Sequence, residues 1–249
     1  MRTGRRVTEL VGGVTHPRFA PRRGAGASTW WSKAFLRAVE EAAFSMAELK
    51  RGRTHARAGD VGAITVAAGA FVAAVVDGDD AYTVSGTVPV LAVDDQSVLV
   101  ELIAAEAGRI GALMSGDLPH QFVESVEEAG VELLPYGGEL GSACTCETWL
   151  DPCPHALAVL TQLAWLIQRD PFVLFQLRGL ARDEVLARLH ALSRTRPRAA
   201  AGAAGQGRLD PTDGADGADG PVDEVIDDLA IAEEAALRAA RELAQLLAD

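Results

Sequence analysis

The stretch SACTCETWLDPCPHALAVL, Ser142 to Leu160, gathers all three cysteines of the chain within ten positions and sets a histidine two places after the last of them. In a strand, residues i and i+2 point to the same face, so Cys144 and Cys146 can meet one ion from one side. Asp151-Pro152 reverses the chain and delivers Cys153 just before a helix whose first turn holds Pro154 and His155. Proline fits there because its missing N–H would be unpaired anyway, and the helix N-terminus favours the thiolate form of Cys153. The result is C-x-C, six residues, C-x-H. Three sulfurs and one imidazole suit tetrahedral Zn(II), and with all four positions filled by protein the expected role is structural, not catalytic. The His-x-Glu and Pro-Cys-x-x-Cys signature of zinc deaminases is absent. A redox C-x-C pair would leave Cys153 and His155 unexplained, and an odd number of clustered thiols in a reducing compartment argues against a disulfide.

Working outward, Pro154 to Gln168 is apolar nearly all round, the mark of a buried helix. A further helix is expected over Arg182 to Leu192. Upstream, Val61 to Leu91 consists of Val/Thr/Ile-rich pieces divided by turn residues, with Asp77-Gly78 as a hairpin signal, and predicts a three-stranded antiparallel meander. Asp95 to Met114 reads as one helix and Pro119 opens another that ends near Gly130. Ser28 is placed to cap a helix in which Trp31, Phe35, Ala38 and Ala42 recur at helical spacing, and KRGRTHARAGDVG after it reads as polar and turn-rich. The expected fold class is α+β: a small antiparallel sheet with helices and a zinc-held ββα finger. The organisation runs as a flexible basic arm (1–27), an α+β body (28–130), the finger with its following helices (131–193), a disordered linker (194–222) and a separate C-terminal helix (223–249). The linker's DGADGADG repeats every three residues, not with the nine-residue period of calcium-binding solenoids.

At 249 residues and 49% apolar composition the chain can bury a substantial core. Its net charge of −12 hides an asymmetry. Residues 1–57 carry twelve Lys and Arg against four Glu, so a basic head of +8 precedes a remainder of −20. The first thirty residues lack the apolar core of a secretory signal, and the longest uncharged run, Val61 to Val76, is short of a bilayer span. A cytoplasmic location without membrane contact is expected.

The four ligand positions resemble those of the SWIM-type zinc finger, filled by Cys144, Cys146, Cys153 and His155 and followed directly by an apolar helix. STWWSKAFLRAVE, RGRTHARAGDVG, AGVELLP and DPFVLFQLRGLARDEVL are similar to segments of bacterial SWIM proteins found beside SNF2-type helicases, so the resemblance covers roughly Thr29 to Leu192. His55 is a departure, at a position more often aromatic. The resemblance implies a module that binds DNA or protein, a neighbourhood that includes an SNF2-type helicase, and no catalytic residues.

No phosphate loop, nucleophile elbow or dinucleotide fingerprint is present, so no enzyme and no small-molecule substrate are expected. The leading expectation is a non-enzymatic zinc-binding module that contacts nucleic acid and assists a helicase-type partner. Arg22, Arg23, Lys33, Lys50, Arg51 and Arg53 are the expected phosphate contacts. Trp30-Trp31 offers either a stacking platform or, the commoner use of adjacent tryptophans at a helix start, a core anchor. The alternative is a protein–protein adaptor, for which the acidic remainder of the chain speaks, since negative charge repels phosphate.

Overall fold

The computed structural model describes residues 10–23 and 26–195. Five strands form one antiparallel sheet in sequence order: β1 (Val14–His16), β2 (Val61–Ala67), β3 (Ala70–Asp77), β4 (Asp80–Thr87) and β5 (Gly141–Cys144). The expected meander is its centre. At the β3–β4 turn Gly78 has φ 61°, a left-handed conformation that side chains with a Cβ rarely adopt, and the hairpin closes with Asp77 opposite Asp80. β1 and β5 add an edge strand on either side, through Val14 opposite Val66 and Val84 opposite Cys144.

Eight α-helices complete the described residues: α1 (Trp30–Ala42), α2 (Met46–Ala58), α3 (Val93–Ala105), α4 (Ala107–Met114), α5 (His120–Glu128), α6 (Pro154–Arg169), α7 (Phe172–Leu177) and α8 (Arg182–Thr195). α6 is the central helix of the described residues. Thirteen of its sixteen residues are buried, and it contacts α1, α2, α7 and strands β2 to β5. Apolar contact on every side explains its all-round apolar sequence. Two of the polar groups on this buried helix are paired, Gln162 donating from Nε2 to the Ala56 carbonyl at 2.9 Å and Thr161 from Oγ1 to the Leu157 carbonyl at 2.6 Å, whereas Gln162 Oε1 and Trp165 Nε1 are buried without a partner among the described residues.

Four expectations are corrected. Ser28 does not cap the first helix: α1 begins at Trp30, and its N-cap is Thr29, which makes no side-chain capping bond. Val14–His16, expected inside an aperiodic basic arm, is the edge strand β1, because its main chain pairs with β2 while Phe19 beyond it packs into the core against Trp165. The turn-rich reading of KRGRTHARAGDVG fails because its first residues lie in α2. The hydroxyl of Ser45 caps the helix by accepting from the N–H of Glu48, Leu49, Gly52 and Ala56 face inward, and Gly59 ends it at φ 80°. The single helix expected over Asp95 to Met114 is two, broken where Glu106 turns extended and Arg109 donates to the Leu102 carbonyl at 2.7 Å. Beyond Val131 the chain continues in the same sheet and core, through β5 on β4 and α6 on α1 and α2. The C-terminal helix expected over 223–249 and the linker after Thr195 lie outside the described residues.

Candidate metal centre

Cys144 ends β5, and the chain keeps its direction for one residue more: the N–H of Thr145 donates to the Thr83 carbonyl at 3.0 Å, and the N–H of Thr83 donates to Thr145 Oγ1 at 2.9 Å. That pairing anchors the residue between the two cysteines, and Cys146 follows in a bend just past the strand. Cys153 is the N-cap of α6, where its sulfur accepts the N–H of Ala156 at 3.4 Å, and His155 follows in the first turn. Both are buried, Cys153 at 2% exposure and His155 at 8%. The ligand atoms of all four residues lie within 4.8 Å of one another, and His155 Nδ1 is 3.8 Å from Cys144 Sγ. Tetrahedral bonds of about 2.1–2.3 Å require donors roughly 3.4–3.8 Å apart, so the set fits one metal ion with little adjustment.

The thiols differ in proton affinity. Cys153 is brought down to about 5, first because the Cys144 thiol donates to it and then because the Ala156 N–H does, against the opposing effect of burial. Cys144 is pushed well up, since its proton is held in that same hydrogen bond and its site is partly buried. Burial also raises Cys146.

A second layer surrounds His155. Its Nε2 faces Asp77 Oδ2 at 3.3 Å, the Tyr82 ring stacks on it at 4.6 Å, and the His55 ring lies 5.5 Å away. His55 in turn pairs through Nδ1 with Asp60 Oδ2 at 2.9 Å. With Nε2–H donating to Asp77, Nδ1 is the nitrogen turned to the thiols. This is the usual outer-shell device by which a carboxylate fixes tautomer and orientation in a metal-binding histidine. His55, Asp77 and His155 also form a metal-ligand-like cluster of their own, but it shares the one imidazole. In the sequence Asp77 stands as a turn residue and His55 as a departure from the resemblance, and no spacing signal links either to position 155.

The expected phosphate contacts are divided. Lys50 and Arg53 line a shallow groove of about 400 Å³ with Met46, Thr54 and Arg57. Arg53 and Arg57 also border a recess at Trp165, over whose ring the Arg22 guanidinium sits at 4.1 Å. The structure thus brings Arg22, Lys50 and Arg53 together with Arg57. Arg53 is ion-paired with Glu40, and Arg51 with Glu48 at 3.4 Å. Arg23 and Lys33 are exposed, the latter on α1, and neither lines the groove. Trp30 and Trp31 are core anchors: Trp31 is 4% exposed and donates to the Ile167 carbonyl at 3.1 Å, while Trp30 donates to that of Leu118 at 2.9 Å.

Among known proteins, the chain is 33% identical over 172 residues to the uncharacterized protein Rv2102 of Mycobacterium tuberculosis (strain ATCC 25618 / H37Rv). The match takes in 68% of this chain and 61% of that protein, so the chain spans less than two thirds of its relative's length. No family model and no solved structure matches it. No helix among the described residues is long and apolar enough to cross a membrane.

Proposed function

We propose that Cys144, Cys146, Cys153 and His155 hold one Zn(II) as a structural SWIM-type finger, and that the chain is a non-enzymatic module that contacts nucleic acid beside an SNF2-type helicase. The observation that carries the metal reading is the convergence of four protein donors from the end of β5, the bend after it and the start of α6, which leaves no position for a reacting water in a tetrahedral set. Sulfur-rich tetrahedral sets select zinc over magnesium or calcium, which require oxygen. The nucleic-acid reading is supported by the collection of Arg22, Lys50, Arg53 and Arg57 around one helix of an otherwise acidic chain. With Arg53 engaged by Glu40, about three such contacts would release about three counterions, giving a slope of log affinity against log salt near about −2.7 on duplex. A salt titration of the full chain against a variant with Lys50, Arg53 and Arg57 changed to Gln tests it; equal binding by the two would remove this reading. The protein-adaptor reading is favoured by one specific observation, the exposed pair Phe44 and Trp149. A pull-down from native cells that recovers a helicase only through nucleic acid, and not after nuclease treatment, separates the two.

A further inference from the structure

Resting on the nucleic-acid reading above, we infer that Trp149 and Phe44 form a stacking shelf for the bases of a single strand whose phosphates run along α2. Trp149 is 80% exposed and Phe44 67%, and their rings meet edge to face at 5.4 Å. Water-exposed aromatic rings held against each other contribute little to a core, and the pair stands apart from the buried tryptophans that the fold uses as anchors.

Two features place this pair where a nucleic acid would use it. Phe44 immediately precedes Ser45, the cap of α2, so the shelf sits at the start of that helix. From there Met46, Lys50, Arg53 with Thr54, and Arg57 follow at three- and four-residue spacing on one face and line one groove. At about 1.5 Å per residue, Met46 to Arg57 spans roughly 16 Å, room for a few nucleotides of backbone. Aromatic area at one end and cations along the rest match bases and phosphates respectively. Acidic neighbours narrow the track: Glu40 engages Arg53, Glu48 engages Arg51, and Glu147 shares the loop of Trp149, so Lys50 and Arg57 carry the phosphate attraction.

The second feature is the loop itself. Trp149 lies between Cys146 and Cys153, and the loop is pinned by Ser142 Oγ donating to Asp151 Oδ1 at 2.6 Å and by Leu150 packed against the core. A metal held by Cys146 and Cys153 would close this loop at both ends and so brace the Trp149 ring against Phe44. Duplex bases are stacked inside the helix and cannot reach such a shelf, whereas unpaired bases can.

The test uses zinc-loaded full chain, a short labelled oligothymidylate, an abasic oligonucleotide of equal length and a duplex, read by fluorescence anisotropy. Trp149→Ala should weaken oligothymidylate binding by about ten-fold or more, with duplex and abasic binding changed less than about two-fold and zinc content unchanged. Trp149→Phe should retain most of the affinity. Lys50→Gln with Arg57→Gln should weaken every ligand. If Trp149→Ala binds oligothymidylate like the parent while the charge variant is weakened, the shelf is rejected and the nucleic-acid reading stands. If Trp149→Ala loses zinc and all binding together, Trp149 is structural and the shelf is likewise rejected. If the parent binds no nucleic acid at low salt, the shelf falls with the reading beneath it and the surface is left to a protein partner.

Discussion

A zinc-binding thiol must lose its proton, and the three thiols start from different states. Cys144 and Cys146 stand above the ordinary cysteine value, so at neutral pH they are protonated without metal, while Cys153, near 5, is already a thiolate. Zinc uptake at pH 7 should therefore release about two protons from the thiols, and the binding constant should rise by about two decades per pH unit around neutrality. The sign is fixed: protons compete for Cys144 and Cys146, so acid weakens the site. Calorimetry in buffers of different ionisation enthalpy measures the number, and a release of three would place a proton on Cys153. The carboxylate behind His155 gives a second expectation. Asp77→Ala should lower zinc affinity by about 10- to 100-fold in competition with a chromophoric chelator, with Asp77→Asn between it and the parent, because Asn still accepts the Nε2–H bond but lacks the charge. Unchanged affinity in Asp77→Ala would mean that packing under Tyr82 alone orients the ring.

The packing of α2 on α6 is the contact that carries the cysteine segment. At Gly52 an added Cβ would lie 2.6 Å from Leu157 Cβ and 3.0 Å from the Pro154 carbonyl, backbone that cannot swing aside. Gly52→Ala improves helix propensity by about 1 kcal/mol, but overpacking costs about 1–3 kcal/mol and here works against main chain. A net loss of about 1–2 kcal/mol in urea unfolding is expected, whereas a gain would show that α2 is free to shift. Arg178 has a comparable part at the far end of β4. It is 4% exposed and donates to the Pro89 and Glu132 carbonyls at 2.7 and 2.6 Å, tying two loops together, and burial draws its pKa below the usual arginine value. Arg178→Met should cost about 3 kcal/mol, and Arg178→Lys should not restore it, since one ammonium cannot reproduce the fork. These elements also mark what could be read from sequence. The cysteine spacing and the apolar run of α6 were legible, because ligand geometry and all-round burial leave local signatures. α2 was not, since its inward residues are only Leu49, Gly52 and Ala56 among charged neighbours, and tertiary contact with α6 decides its state. β1 was hidden for the same reason: three residues pair with an edge strand whose position only the fold supplies. Asp77 met His155 through the sheet, across 78 positions of sequence.

At the largest scale the four candidate ligands join two parts of one core: β5 closes one edge of the sheet, and α6 packs against α1, α2, α7 and strands β2 to β5. A site in that position stabilises more than its own loop. Zinc-finger peptides gain about 10–16 kcal/mol from metal, and even a fraction of that exceeds the margin of a typical domain. Chelation should therefore lower the melting temperature by more than about 10 °C. The charge division seen in composition becomes spatial as well, with cations gathered along α2 and aromatic side chains exposed at its start. The relative in Mycobacterium tuberculosis, matched over 172 residues, offers a second chain in which the same measurements can be made. The most direct test of the account is metal analysis of protein purified without chelator, alongside Cys146→Ser and His155→Ala. One zinc per chain in the parent, with both variants depleted of zinc and lowered in melting temperature, is the predicted result. Zinc-free parent protein of full stability, or a Cys146→Ser variant that retains its zinc and its melting temperature, would contradict it.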